Sequence, residues 1–228
     1  MISPNVRELA FERADGSPLD FKAGQWVSLV LPLEEGEARR AYSIASPPFG
    51  DGRFEVAITK VDRGPGSTYL HALEIGAQLR AIGPQGFFTR AAGEPSLFVG
   101  TGTGVTPLRS MIRDALTHGD TSPMTLLFGV RTEADRLYQD ELDALAAQHP
   151  NLRVLYTLSR PSPTWTGLTG YVQTHVERLY REVEAQAPAG IATHVYACGL
   201  ERMVGAVRDL LRKSMNVDRK RVHSERYD

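Results

Sequence analysis

The sequence predicts two domains: a small antiparallel β-barrel, then an α/β domain built on a doubly wound, parallel, five-stranded sheet. Three observations carry this. Residues 1–92 contain short strand-like runs separated by closely spaced turn signals, residues 93–228 alternate strand-like and helix-like segments, and the change falls at Ala91-Ala92-Gly93-Glu94-Pro95. A chain of 228 residues is long enough for two small domains of this kind.

In the first half, residues 25–31 have strand composition and residues 54–59 alternate in part. Turn signals stand at Asp15-Gly16, Ala23-Gly24, Gly50-Asp51-Gly52, Gly64-Pro65-Gly66 and Gly83-Pro84. Strands this short at this spacing predict a small barrel, with one short helix over 68–74. In the second half the predicted strands are 96–100, 124–130, 152–158, 194–198 and 221–227. Helices are expected at 107–118, 134–149, 172–185 and 201–215. Leu137, Leu142 and Leu145 share one face of the second helix, and Val204, Val207, Leu210 and Leu211 point inward from the last. Strands separated by helices imply parallel pairing, with ligands at the carboxyl ends of the strands.

Composition narrows the function. Hydrophobic residues make up 42% and charged residues 23%, as in an ordinary globular protein. No apolar run approaches the roughly 18 residues of a membrane-spanning helix. The opening residues 1–7 lack the apolar core and cleavage site of a signal peptide, and a single cysteine fits a reducing cytosol, so a cytoplasmic location is expected. Cys198 is the only cysteine, which excludes an intrachain disulfide and a built-in cysteine-ligated iron–sulfur cluster; no metal site is expected. A net charge of -1 argues against nucleic acid as a partner of the whole chain. The stretch 208–221 is locally basic, with Arg208, Arg212, Lys213, Arg219, Lys220 and Arg221 against Asp209 and Asp218; it reads as a solvated face or as a docking patch for an acidic partner.

Candidate site residues gather at the predicted strand ends. Gly100-Thr101-Gly102-Thr103-Gly104-Val105-Thr106-Pro107 follows the first strand of the second half, with Thr106 as candidate N-cap and Pro107 at the first helical position. Such a loop either cradles a phosphate or is a structural turn. Val105 occupies the place of the third glycine of the usual dinucleotide fingerprint. The next strand ends in Gly129-Val130-Arg131, without an acid to grip a ribose. Ser159-Arg160 ends the third strand and fits a ribose 2′-phosphate or plain surface; Cys198-Gly199-Leu200 ends the fourth, where Cys198 also fits as a small buried apolar residue. In the first half, Arg40-Ala41-Tyr42-Ser43 offers a cation, a planar ring and a hydroxyl, and Gly64-Pro65-Gly66-Ser67-Thr68 opens a helix as a second candidate phosphate cradle.

Taken together, these motifs resemble the ferredoxin–NADP reductase family along nearly the whole chain. Arg40-Ala41-Tyr42-Ser43 is similar to its flavin motif, Gly66-Ser67-Thr68 to its flavin-phosphate turn, and Gly102 to Pro107 to its nicotinamide-dinucleotide turn. Tyr196-Ala197-Cys198-Gly199-Leu200 and Ser224-Glu225-Arg226-Tyr227 resemble further family motifs, with Asp228 one residue beyond the aromatic. The resemblance implies a flavin-binding barrel over 1–92 and an NAD(P)-binding domain over 93–228. FAD is expected over FMN by analogy with the family alone; the insertion that stacks on the FAD adenine in plastid members is missing from this sequence.

The resemblance also implies roles. Arg40 and the turn Gly66 to Thr68 hold the flavin phosphates, Tyr42 stacks on the ring, Ile58 and Thr59 line its site, and Tyr227 covers the opposite face. NADPH lies across Thr103, Gly104, Pro107, Arg131, Ser159, Arg160, Tyr171, Gln173, Gly199 and Leu200. Ser43, Cys198, Glu225 and Tyr227 form the catalytic set. The implied activity is electron transfer between NADPH and a separate ferredoxin or flavodoxin, with no membrane partner. Two alternatives stand beside it: an NAD(P)H-dependent reductase component of an oxygenase or a flavin or quinone reductase, and a non-catalytic, flavin-containing redox-sensing subunit.

Overall fold

The computed structural model describes residues 1–227; Asp228 lies outside the described residues. The first half contains five antiparallel strands: β1 (Val6–Glu12), β2 (Trp26–Leu33), β3 (Gly36–Ser43), β4 (Arg53–Thr59) and β5 (Arg80–Gln85). β1 pairs with β4, β2 lies between β3 and β5, and the Ile44–Val56 bridge joins the two sheets into a barrel-like unit. Alternation explains its core: Val27, Leu29 and Leu31 of β2 and Phe54, Val56 and Ile58 of β4 all point inward. Helix α1 (Pro65–Ala72) closes the barrel through Leu70. It begins three residues before the predicted 68–74, because Pro65 suits the first helical turn and Gly64 is extended. The Arg7 guanidinium donates to the carbonyls of His71 (2.6 Å) and Leu73 (2.8 Å), satisfying the end of the helix.

The second half is the predicted doubly wound parallel sheet, with six strands among the described residues instead of five. They are β6 (Ser96–Thr101), β7 (Met124–Val130), β8 (Leu152–Leu158), β9 (Leu168–Thr169), β10 (His194–Leu200) and β11 (Val222–Tyr227). The order is β11-β10-β6-β7-β8-β9 and every pairing is parallel. β9 has two residues, too few to leave a periodic signal. Leu97 and Val99 of β6 face helices α4 (Val176–Gln186) and α5 (Glu201–Asp209). Phe98 faces the side of α2 (Val105–Thr117) and α3 (Gln139–Gln148).

Helix bounds differ where tertiary contacts override pattern. The predicted 134–149 helix is broken: a tight turn at Glu133–Asp135 is capped by Thr132, and Tyr138 (φ 56°) separates it from α3. Leu137 is therefore buried from a loop, although Leu142 and Leu145 pack as expected. Helix 172–185 is likewise split into a 3-10 turn, Val172–Thr174, and α4. The last predicted helix ends its α-turns at Asp209 and widens into a π-turn, Leu210–Ser214. Among the described residues no helix is long and apolar enough to cross a membrane.

Candidate active site

The carboxyl ends of β6, β10 and β11 meet the end of β3, and this junction gathers the candidate catalytic side chains. Parallel pairing sets Cys198 against Glu225 and Leu200 against Tyr227. The Tyr227 hydroxyl donates to Ser43 Oγ at 2.6 Å, and lies 3.4 Å from Thr106 Oγ1. Ser43 Oγ donates to Glu225 Oε1 at 3.4 Å. Residues 182 and 184 positions apart in sequence thus share one hydroxyl. Cys198 is fully buried beneath them, and burial, reinforced by the neighbouring Glu225 charge, pushes its thiol well up. Burial also pushes the Glu225 carboxyl up to about 7, against a smaller opposing effect of the Ser43 hydrogen bond.

Glu225 Oε2 is buried with no partner among the described residues, and Glu225 borders an open cavity of about 380 Å³ with Trp26, Phe87, Phe88 and His223. A buried oxygen without a donor is costly unless something else meets it. At the barrel end of the site, a Cβ on Gly66 would stand 3.5 Å from Arg40 Cγ and 3.6 Å from its Nε, so the arginine lies across the start of α1. No side chain caps that helix start. The arrangement, an arginine across an uncapped helix start, fits a phosphate. Ser67 Oγ accepts from Val61 N (3.0 Å) and donates to Gly64 O (3.1 Å), which shapes the turn. Tyr42 is half-buried on β3 opposite Val27, while Thr68 is exposed and Ile58 faces the barrel core.

The glycine loop forms a 3-10 turn, Gly102–Gly104, running directly into α2. Gly102 has φ +55° in open space, so conformation calls for glycine there. At Gly104 a Cβ would fall 2.3 Å from Cys198 O, so space calls for it. Thr106 is not the N-cap: it lies inside the first turn and its hydroxyl donates to Thr103 O (2.8 Å). Pro107 is the third helical residue and is buried. Thr59 Oγ1 at the end of β4 donates to Thr103 Oγ1 at 3.4 Å, which brings the loop to the barrel.

Arg131, Ser159, Arg160, Tyr171 and Gln173 form a separate group further along the sheet. Backbone bonds from Ser159 to Val130 O (3.1 Å) and from Arg160 to Arg131 O (2.8 Å) hold the ends of β7 and β8 together. Both arginines are exposed, and among the described residues neither makes a salt bridge. Tyr171 follows β9 and is 60% exposed. Gly199 is buried and Leu200 exposed at the end of β10.

The sequence reading missed Arg109. It stands on the buried face of α2, 4% exposed, and bonds to both halves of the molecule. A charged residue between Leu108 and Ile112 in an amphipathic helix was the available signal, since buried charge demands partners.

Comparison with known proteins decides the family. The Oxidoreductase FAD-binding domain family matches residues 1–89, and the Oxidoreductase NAD-binding domain family matches residues 98–209. The chain is 58% identical over 229 residues to Ferredoxin--NADP reductase B of Sorangium cellulosum, covering 100% of this chain and 93% of that protein. This chain belongs to the ferredoxin–NADP reductase family. The reductase is also 32% identical to the phenol hydroxylase P5 protein of Acinetobacter pittii, spanning 99% of its own length and 62% of that relative's. Among solved structures, the cytochrome P450 reductase GcoB of Amycolatopsis superposes with a TM-score of 0.83 at 28% identity, over 99% of this chain and 66% of that one. The reductase is therefore an oxidoreductase with FAD-binding and NAD-binding domains.

Proposed function

We propose that the chain is an NADPH-dependent flavoprotein reductase that exchanges electrons with a separate one-electron carrier protein, a ferredoxin or flavodoxin. The observation that carries this reading is the meeting of Ser43, Glu225 and Tyr227 around one hydroxyl, where the expected flavin strand touches the expected nucleotide domain. The 58% identity to a ferredoxin–NADP reductase over the full chain supports the same carrier class.

In this reading residues 1–92 hold the flavin and residues 93–228 the nucleotide. Arg40 and the start of α1 hold the flavin phosphates; Tyr42 and Tyr227 flank the ring. When bound, the flavin supplies the conversion between a two-electron hydride and single electrons. Tyr227, held by Ser43 and Thr106, would keep water from the ring face and would have to move for a nicotinamide to reach it. With a flavin bound, Ser43 and Glu225 would hold and move a proton beside its reacting edge: Ser43 Oγ donates to Glu225 Oε1 at 3.4 Å, and burial pushes the Glu225 carboxyl up to about 7. Cys198 stays a neutral thiol and shapes the ring pocket. Thr103 and the start of α2 receive the pyrophosphate. Arg131, Ser159 and Arg160 receive the 2′-phosphate, with Tyr171 against the adenine.

A second reading, a reductase component of an oxygenase, is favoured by the phenol hydroxylase relative at 32% identity. One experiment separates them. The purified protein should be yellow; anaerobic titration with NADPH should bleach it at lower concentration than NADH; and the reduced protein should pass electrons to ferredoxin or flavodoxin faster than to an oxygenase component. A colourless protein after reconstitution with FAD rejects both readings.

A further inference from the structure

We propose that Arg109 and Ser110 are positioning residues that fix the nucleotide loop against the flavin strand, and so set the geometry of hydride transfer; this rests on the function proposed above. Helix α2 begins directly after Gly102–Gly104, so the helix and the loop move together. Two consecutive residues of this helix bind two consecutive carbonyls just beyond Ser43. Arg109 Nη1 donates to Ala45 O at 2.9 Å, and Ser110 Oγ donates to Ser46 O at 2.6 Å. Both side chains are buried, Arg109 at 4% exposure and Ser110 at 0%.

The partners of Arg109 make this contact rigid. Its Nη1 also reaches Glu55 Oε2 of β4 at 2.9 Å, while Nε and Nη2 hold Glu141 of α3 at 3.0 and 2.7 Å. The Tyr138 ring lies 4.1 Å beneath the guanidinium. On the barrel side, Ala45 N donates to Glu55 O (2.7 Å) and Glu55 N donates to Ser46 Oγ (3.1 Å), so the segment cannot shift without β4. A planar guanidinium with fixed donor directions defines position along two axes, as apolar packing does not. A hydrophobic contact would hold the domains together yet let them slide. Ser43 lies two residues before the clamped carbonyl, and Thr103 lies six before Arg109, so a slide here changes the distance between the two cofactor sites.

The test uses the FAD-loaded protein with Arg109→Lys and Ser110→Ala, each compared with wild type. Lysine keeps the charge, but its single ammonium lacks the planar fork whose separate nitrogens reach Ala45, Glu55 and Glu141. Readouts are the long-wavelength charge-transfer absorbance on nucleotide binding, the primary deuterium isotope effect with deuterated NADPH, kcat and KM separately, and thermal midpoint. The expected result is a weakened charge-transfer band, an isotope effect that becomes fully expressed, and kcat lower by roughly tenfold to a hundredfold with KM within about twofold. A lower midpoint with unchanged band, isotope effect and kcat overturns the proposal, because the clamp then serves stability alone. Should Arg109→Lys fail to fold, Ser110→Ala, which removes one bond, carries the same outcomes. Hydrogen exchange of the Ile44, Ala45 and Ser46 amides in the flavin-free chain reads the clamp independently of any cofactor. Faster exchange at these amides in Ser110→Ala supports a clamp and unchanged exchange opposes it. Failure of wild type to take up FAD would instead overturn the proposed function.

Discussion

Replacing Glu225 with Gln should remove a pH dependence of stability that this carboxyl imposes. Burial raises its native pKa from 4.5 to about 7. Between those values the native state holds a proton that the unfolded chain has lost, so unfolding stability falls as pH rises across this window and levels off above it. The span corresponds to about 3 kcal/mol. Glutamine keeps the shape and the hydrogen bond near Ser43 without a titrating group. It leaves a buried amide whose cost is the same at every pH. Urea unfolding of the flavin-free wild type and Glu225→Gln chains, from pH 4.5 to 8, measures the difference directly. The wild type should lose about 3 kcal/mol relative to the variant across the range. Parallel stability curves for the two proteins would refute the reasoning, showing that Glu225 titrates alike in the native and unfolded chains.

Three further outcomes are expected. Tyr227→Ser, which deletes the ring held by Ser43 and Thr106, should bind oxidised nucleotide more tightly by anaerobic titration and relax the discrimination against NADH, with slower product release in stopped flow. Arg40→Ala should weaken FAD retention by about 1.5–3 kcal/mol, read by ultrafiltration, since a phosphate loses a charge-assisted partner. Arg160→Ala should raise the KM for NADPH by roughly tenfold or more and leave that for NADH nearly unchanged.

Much of the fold was legible because its signals are local. Strands 124–130 and 152–158 match the observed bounds to the residue, since both are mostly apolar runs with turns on both sides, Arg153 being the exposed exception. The two-residue β9 and the left-handed Tyr138 left no such signal: one is too short and the other is decided by packing around Arg109. At the site, Arg40, Tyr42, Ser43 and the glycine loop could be found as motifs. That Ser43, Glu225 and Tyr227 share a hydroxyl could not, because their contact depends on how two domains meet. Ser67 shows the opposite limit: its place in the motif was readable, yet its hydroxyl is consumed by the turn that carries it. Thr106 is similar, since a hydroxyl one turn from a glycine loop reads as a cap until the 3-10 turn ahead of it is seen.

The loop glycines carry a lesson about how such signatures age. Gly104 is required because the backbone of β10 passes at contact distance, a Cβ there falling 2.3 Å from Cys198 O, whatever ligand is present. A descendant that had abandoned the nucleotide would still be held to glycine at this position by its own sheet. A match at Gly104 therefore testifies to shared architecture. Evidence for a working dinucleotide site has to come from groups the fold itself does not need, such as the exposed guanidiniums of Arg131 and Arg160.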